Sequence, residues 1–135
     1  MKGGVTMFKE YNAQPKGIKT TDCVVRAIAT ATTTDYLEVR RELNKKKKEL
    51  GYSSYKDTQF LYDYLKDYPR LIFKPVKGEP RIKGSDFTKL HPNRTYILKM
   101  AGHITACIDG IIYDTWDCSY RSVYTAWEIK KQISQ

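Results

Sequence analysis

Asp109-Gly110 stands between two runs of alternating apolar residues, HITACI and IIYDTW. A two-residue Asp-Gly link of this kind signals a tight β-hairpin, because both central residues of the favoured turn need positive φ. It also sets the register. With Asp109 and Gly110 as the turn, Ile108 pairs with Ile111, Thr105 lies opposite Asp114, and His103 lies opposite Trp116. Alternation then sorts the side chains. One face carries Ile104, Ala106, Ile108, Ile111 and Tyr113, an apolar core face. The other carries His103, Thr105, Cys107, Ile112, Asp114 and Trp116. His103 and Asp114 thus become diagonal cross-strand neighbours, roughly 7–8 Å apart at Cα and within side-chain reach. Asp117 falls on the opposite face if the strand extends that far.

The rest of the chain reads as helices first and strands afterwards. Residues 1–21 form an extended lead-in, with NAQPKGIKTTD as a loop. In DCVVRAIATAT, Val24, Val25, Ile28 and Ala29 repeat at helical period. Asp22 suits the N-cap, which makes Cys23 the first helical residue. A second helix spans about residues 35–50. Asp35 and Glu38 have capping-box spacing, Val39, Leu43 and Leu50 form its apolar stripe, and Gly51 is its stop. A third covers about 57–67, with Phe60, Leu61, Tyr64 and Leu65 inward. RLIFKPV is a short strand, and the loop after it holds one helical turn near 85–90. TYILKM, HITACI and IIYDTW are consecutive antiparallel strands, and RSVYTAWEI is a final strand or short helix. The expected class is α+β: a helical part over 22–68 packed on a mainly antiparallel sheet over 69–135, in one domain over 1–135.

Bulk properties narrow the function classes. A chain of 135 residues can build one core without staples. No run of about 18 apolar residues occurs, so no membrane partner is expected. The first ten residues carry no secretory pattern, and Met7 is an alternative start that leaves residues 1–6 as an extension. The three cysteines, an odd number, point to free thiols and a cytoplasmic setting. None forms a CxxC pair, and His91 and His103 are not spaced with them as in a zinc finger, so no metal and no cofactor is expected. The net charge of +9 admits nucleic acid or an acidic partner. Its one dense block, NKKKKEL, covers every face of a helical turn and reads as a solvated helix end whose lysines suit the C-terminal dipole.

The chemistry lies in three residues. A carboxylate beside an imidazole fixes its tautomer and favours the charged ring. That pair is the orienting half of a nucleophile–base–orienter set, with Asp114 orienting His103. Cys23 is the candidate nucleophile, because a thiol in the first turn of a helix meets the positive end of the dipole. Each residue also has a plain structural reading: packing for Cys23, a satisfied strand residue for His103, a strand-end residue for Asp114. Their order favours the joint reading. Cys107, inside a strand, and Cys118, with no helix behind it, read as structural.

The order resembles the papain-like cysteine peptidases. Their pattern places a cysteine at the start of the central helix, a histidine on a strand, and Asn or Asp on the next strand, often within NSW. TTDCVVRAIA is similar to the first block in the small C39-like members, and GHITACIDGIIYDTW to the second, with DTW in place of NSW. The chain also resembles small papain-like proteins of bacteriophages and prophages, which implies a host-cell cytoplasm. The resemblance implies Cys23 as nucleophile, His103 as base, Asp114 as orienter and Trp116 as the shield of their hydrogen bond. It does not extend in detail over residues 33–93. The family's oxyanion glutamine sits about six residues before the cysteine, where this chain has Gly17; Gln14, nine before, is the nearest substitute, and the Cys23 N–H supplies one donor. The activity implied is hydrolysis of a peptide or isopeptide bond in a protein substrate.

A second reading is a binding protein with a relic triad that grips a host protein or nucleic acid. Eleven tyrosines and two tryptophans suit an interface, although most belong in or beside the core. Direct DNA or RNA binding requires Lys and Arg to cluster on one face. Oligomeric state is not legible from the chain.

Overall fold

The Asp109-Gly110 turn forms with φ values of 51° and 76°. Gly110 is required twice over, since a Cβ there would lie 3.2 Å from both Pro92 Cα and Thr88 O. The computed structural model describes residues 7–18 and 21–130. Residues 1–6, where the alternative start at Met7 would leave an extension, lie outside the described residues, as do 19–20 in the lead-in and 131–135 at the end of the sheet part.

The elements in chain order are β1 (Phe8–Glu10), α1 (Cys23–Thr32), α2 (Tyr36–Leu50), α3 (Thr58–Tyr64), β2 (Arg70–Ile72), α4 (Gly84–Leu90), β3 (Thr95–Met100), β4 (His103–Ile108), β5 (Ile111–Asp114) and β6 (Val123–Glu128). Six strands make one sheet in the order β1-β5-β4-β3-β6-β2. The class is α+β. The hairpin register is the expected one: Ile108 pairs with Ile111, Cys107 with Ile112, and Ala106 with Tyr113. No helix among the described residues is long and apolar enough to cross a membrane.

Local signals explain most element ends. Asp35 caps α2 by accepting from the N–H groups of Leu37 and Glu38 at 3.1 and 3.2 Å. Gly51 closes α2 at φ 81°. Asp57 caps α3 through the Gln59 N–H.

Several expectations need correction. The sheet is mixed, because the lead-in supplies β1, which runs parallel to β5 with Phe8 opposite Ile112 and Glu10 opposite Asp114. That pairing satisfies an edge of β5 that would otherwise stay open. Asp22 occupies the N-cap position but makes no capping hydrogen bond, because its carboxylate turns inward to Arg26 and Tyr36. Leu50 does not join the core; it is exposed at the last turn of α2.

Both faces of the sheet are buried. On one side Val25, Ile28, Leu43, Phe60 and Leu65 from the helical part pack on Ile97, Ile104, Ala106 and Trp127. On the other, Phe87 of α4 covers Leu98, Met100, Cys107, Ile112 and Ala126. Gly84 permits that second layer. A Cβ there would stand 2.8 Å from Met100 Cε and 3.1 Å from the Ser119 carbonyl oxygen. The short helix therefore docks directly against the turn that follows β5.

Candidate active site

Cys23 opens α1, and α1 lies along β4. His103 is the first residue of β4, so the helix start and the strand start meet at one end of the sheet. The His103 ring and the backbone N–H of Ile104 both lie where they favour a charged Cys23 sulfur. Burial opposes a charged sulfur. Those two neighbours, with the His103 and Arg26 charges, outweigh it and hold the thiol below its ordinary range.

The β4–β5 ladder ends at Ala106–Tyr113, and Asp114 is the next residue on β5. Freed from the ladder, its side chain reaches back to the histidine. His103 Nε2 donates to Asp114 Oδ2 at 2.6 Å, and both residues are buried. A carboxylate can only accept, so Nε2 carries the proton and Nδ1 is left for the thiol. Burial disfavours the charged ring, yet the hydrogen bonds to Asp114, Cys118 and Cys23 raise His103 from 6.5 to about 11. Burial likewise pushes the Asp114 carboxyl up, but the His103 bond outweighs it and holds the group below the usual carboxylate range. Asp114 is further held by the Thr115 N–H on Oδ1 at 2.7 Å and by the Tyr11 N–H on its backbone carbonyl at 2.8 Å. The lead-in strand thus braces Asp114.

Below this set lies a buried charged layer. Arg26, one turn after Cys23, pairs with Asp22, and its Nη2 stands 3.7 Å from Asp114 Oδ1. Tyr36 of α2 donates its hydroxyl to the other Asp22 oxygen. The chain Tyr36–Asp22–Arg26–Asp114–His103 connects two helices to the sheet beneath the thiol.

Trp116 lies beside the histidine, with ring centroids 4.8 Å apart, and Arg121 sits over the indole at 5.3 Å. Cys23, His103 and Trp116 line one open cleft of about 470 Å³. Gln14 is not among its lining residues. The Gln14 amide oxygen accepts from the N–H groups of Lys16 and Ile18 at 2.7 and 3.2 Å, so it closes its own loop. Asp117 caps the following turn through the Ser119 N–H.

The chain matches no family model, no curated protein and no solved structure.

The other two thiols differ from Cys23. Burial pushes Cys107 up to about 12, and it also raises Cys118. Cys118 is nevertheless close to the His103–Asp114 pair, its sulfur 3.6 Å from Asp114 Oδ2. His103, Asp114 and Cys118 offer three donor atoms within 4.8 Å of one another, a set that borderline metals such as zinc accept. Two features oppose a dication there. Nε2 and Oδ2 already satisfy each other, and the Arg26 guanidinium faces the remaining carboxylate oxygen.

The sequence reading does not name Arg26, and it takes Asp22 as a helix cap and Cys118 as a structural thiol. Arg26 carried a readable signal: it is the one charged residue within the apolar run VVRAIA, three positions from Cys23 and on its side of the helix. Cys118 carried none, because only the turn after β5 brings it back. What the geometry can do chemically is generate a thiolate beside an imidazolium at the wall of an open cleft.

Proposed function

We propose that the protein is a cysteine peptidase or amidohydrolase of papain-like type, acting on a peptide or isopeptide carbonyl through Cys23, His103 and Asp114. One observation carries this reading: Cys23 and a histidine that Asp114 holds at 2.6 Å line one open cleft, and that histidine favours the charged thiol. The resemblance of TTDCVVRAIA and GHITACIDGIIYDTW to the family's two blocks supports it independently.

The steps follow from the groups present. The Cys23 thiolate attacks the carbonyl carbon, forming a C–S bond and an oxyanion. The Cys23 N–H at the start of α1 serves as one donor to the oxyanion, aided by the helix dipole. Collapse breaks the C–N bond, and His103 gives its Nδ1 proton to the departing amine. The freed imidazole then takes a proton from water, which attacks the thioester and releases the acid. The thiolate–imidazolium pair is restored. Asp114 keeps the ring oriented throughout, and Trp116 keeps water from that hydrogen bond.

The test is labelling with a peptide chloromethylketone, read by intact mass. Wild type and Cys107→Ala should each take up one label, and Cys23→Ala none. Equal labelling of the two variants would sink the assignment and transfer the reading to a binding protein with a relic triad.

A further inference from the structure

Among the described residues, the cleft beside Cys23 is bordered by cations and by no carboxylate. Its wall includes Arg26, Lys56 and Lys99, but neither Asp nor Glu. Arg26 is committed to Asp22 and Asp114. The two lysines are not committed in this way: among the described residues, neither forms an ion pair. Lys56, from the loop before α3, donates to Thr21 Oγ1 at 3.1 Å, which sets its ammonium on the rim next to the start of α1. Lys99 lies on β3 directly opposite Ile104, so both side chains share the face on which Cys23 sits. Its Nζ donates to the Met100 carbonyl at 3.0 Å and stands 5.7 Å from the Tyr124 ring. Half-burial pushes Lys99 below its ordinary range, while the Cys23 charge works the other way. Each ammonium has three N–H groups and one described hydrogen bond, so donors remain for a ligand.

Such a wall repels cationic chains and rewards a carboxylate placed near the reacting carbonyl. We propose that this cleft selects peptide segments carrying a carboxylate next to the bond presented to Cys23, with Lys56 and Lys99 as the residues that read it. The proposal takes its orientation from the thiol chemistry above, but the binding it describes is separable from catalysis.

Binding is therefore measured on the full-length Cys23→Ala protein by calorimetry, with acetyl-AEAEA-amide and its uncharged isostere acetyl-AQAQA-amide. The glutamate peptide should bind about tenfold more tightly, the sum expected of two part-exposed ion pairs. The advantage should shrink severalfold in Lys56→Gln and in Lys99→Gln, and fade as salt rises. Equal affinity for the two peptides, no binding of either, or an advantage untouched by both lysine variants overturns the proposal. A second readout uses wild type. Alkylation of Cys23 by iodoacetate relative to iodoacetamide should fall severalfold in Lys56→Gln, whose imidazolium is intact; an unchanged ratio counts against the proposal. If Cys23 proves inert to iodoacetamide, the catalytic reading fails while the calorimetric result stands by itself.

Discussion

Arg26 and Asp114 meet below the thiol, Nη2 to Oδ1 at 3.7 Å, so the helix that carries Cys23 also touches the partner of His103. Arg26 is shared with Asp22, and all three side chains are buried. Removing the guanidinium takes a counter-charge from the buried Asp22 carboxylate, which keeps the Tyr36 hydroxyl. Arg26→Met should therefore cost about 3–5 kcal/mol, the usual penalty for breaking a buried pair from one side. It should also move the acid limb of Cys23 alkylation to higher pH, because Arg26 is among the charges that favour the thiolate. Arg26→Lys, which keeps the charge and loses the fork, should restore the limb more fully than the stability. Denaturant melts and alkylation profiles measure both; an unshifted limb in Arg26→Met would mean that Arg26 is purely structural.

The His103–Asp114 pair has a definite pH signature. His103 rises from 6.5 to about 11 in the folded protein, so its stabilising contribution is complete below 6.5 and is lost as pH climbs through about 11. Asp114 is lowered, so its contribution is present above the ordinary carboxylate range and disappears as pH falls through the folded value. The stability gap between wild type and His103→Gln should hence be widest between the ordinary carboxylate range and 6.5, and narrow toward pH 11 and toward strong acid. Urea midpoints at several pH values test this; a gap that stays constant with pH would contradict it.

Thiol reactivity should be confined to one site. Cys107 and Cys118 are buried and raised, whereas Cys23 is half-buried and lowered. Limiting iodoacetamide at pH 7 should modify Cys23 and leave the other two until denaturant is added, as peptide mapping would read it. In His103→Ala the midpoint of Cys23 alkylation should move up toward the ordinary thiol value of about 8.5. Modification of Cys118 at a rate similar to Cys23 in the native protein would contradict the burial.

Gly84 ties the fold to the site. A methyl at that position meets Met100 Cε at 2.8 Å and the Ser119 carbonyl at 3.1 Å. Gly84→Ala should cost about 1–3 kcal/mol through overpacking. Because Ser119 follows Cys118 in the turn after β5, the same change should lower Cys23 alkylation at pH 7 by loosening the seat of Asp114. Chemical denaturation measures the first effect and a stopped alkylation assay the second. A variant as stable as wild type would show that α4 yields without penalty.

The hairpin register was decided by two residues, Asp109 and Gly110, whose backbone demands are local, and strict alternation then put His103 and Asp114 on one side. The spacing of Val24, Val25, Ile28 and Ala29 likewise put Cys23 at a helix start, because helical period is a property of the segment alone. Those are the parts a sequence determines by itself. The meeting of Cys23 with His103 depends on how α1 crosses the sheet, which no single segment encodes. The tertiary structure alone decided that Asp22 would leave its cap to join Arg26, that the lead-in would pair parallel to β5 behind Asp114, and that Lys56 and Lys99 would face one cleft. Each of these joins residues distant in sequence or trades a local preference for a buried contact. Packing of both sheet faces made those trades favourable, and the periodicity of one strand gives no sign of what will cover it.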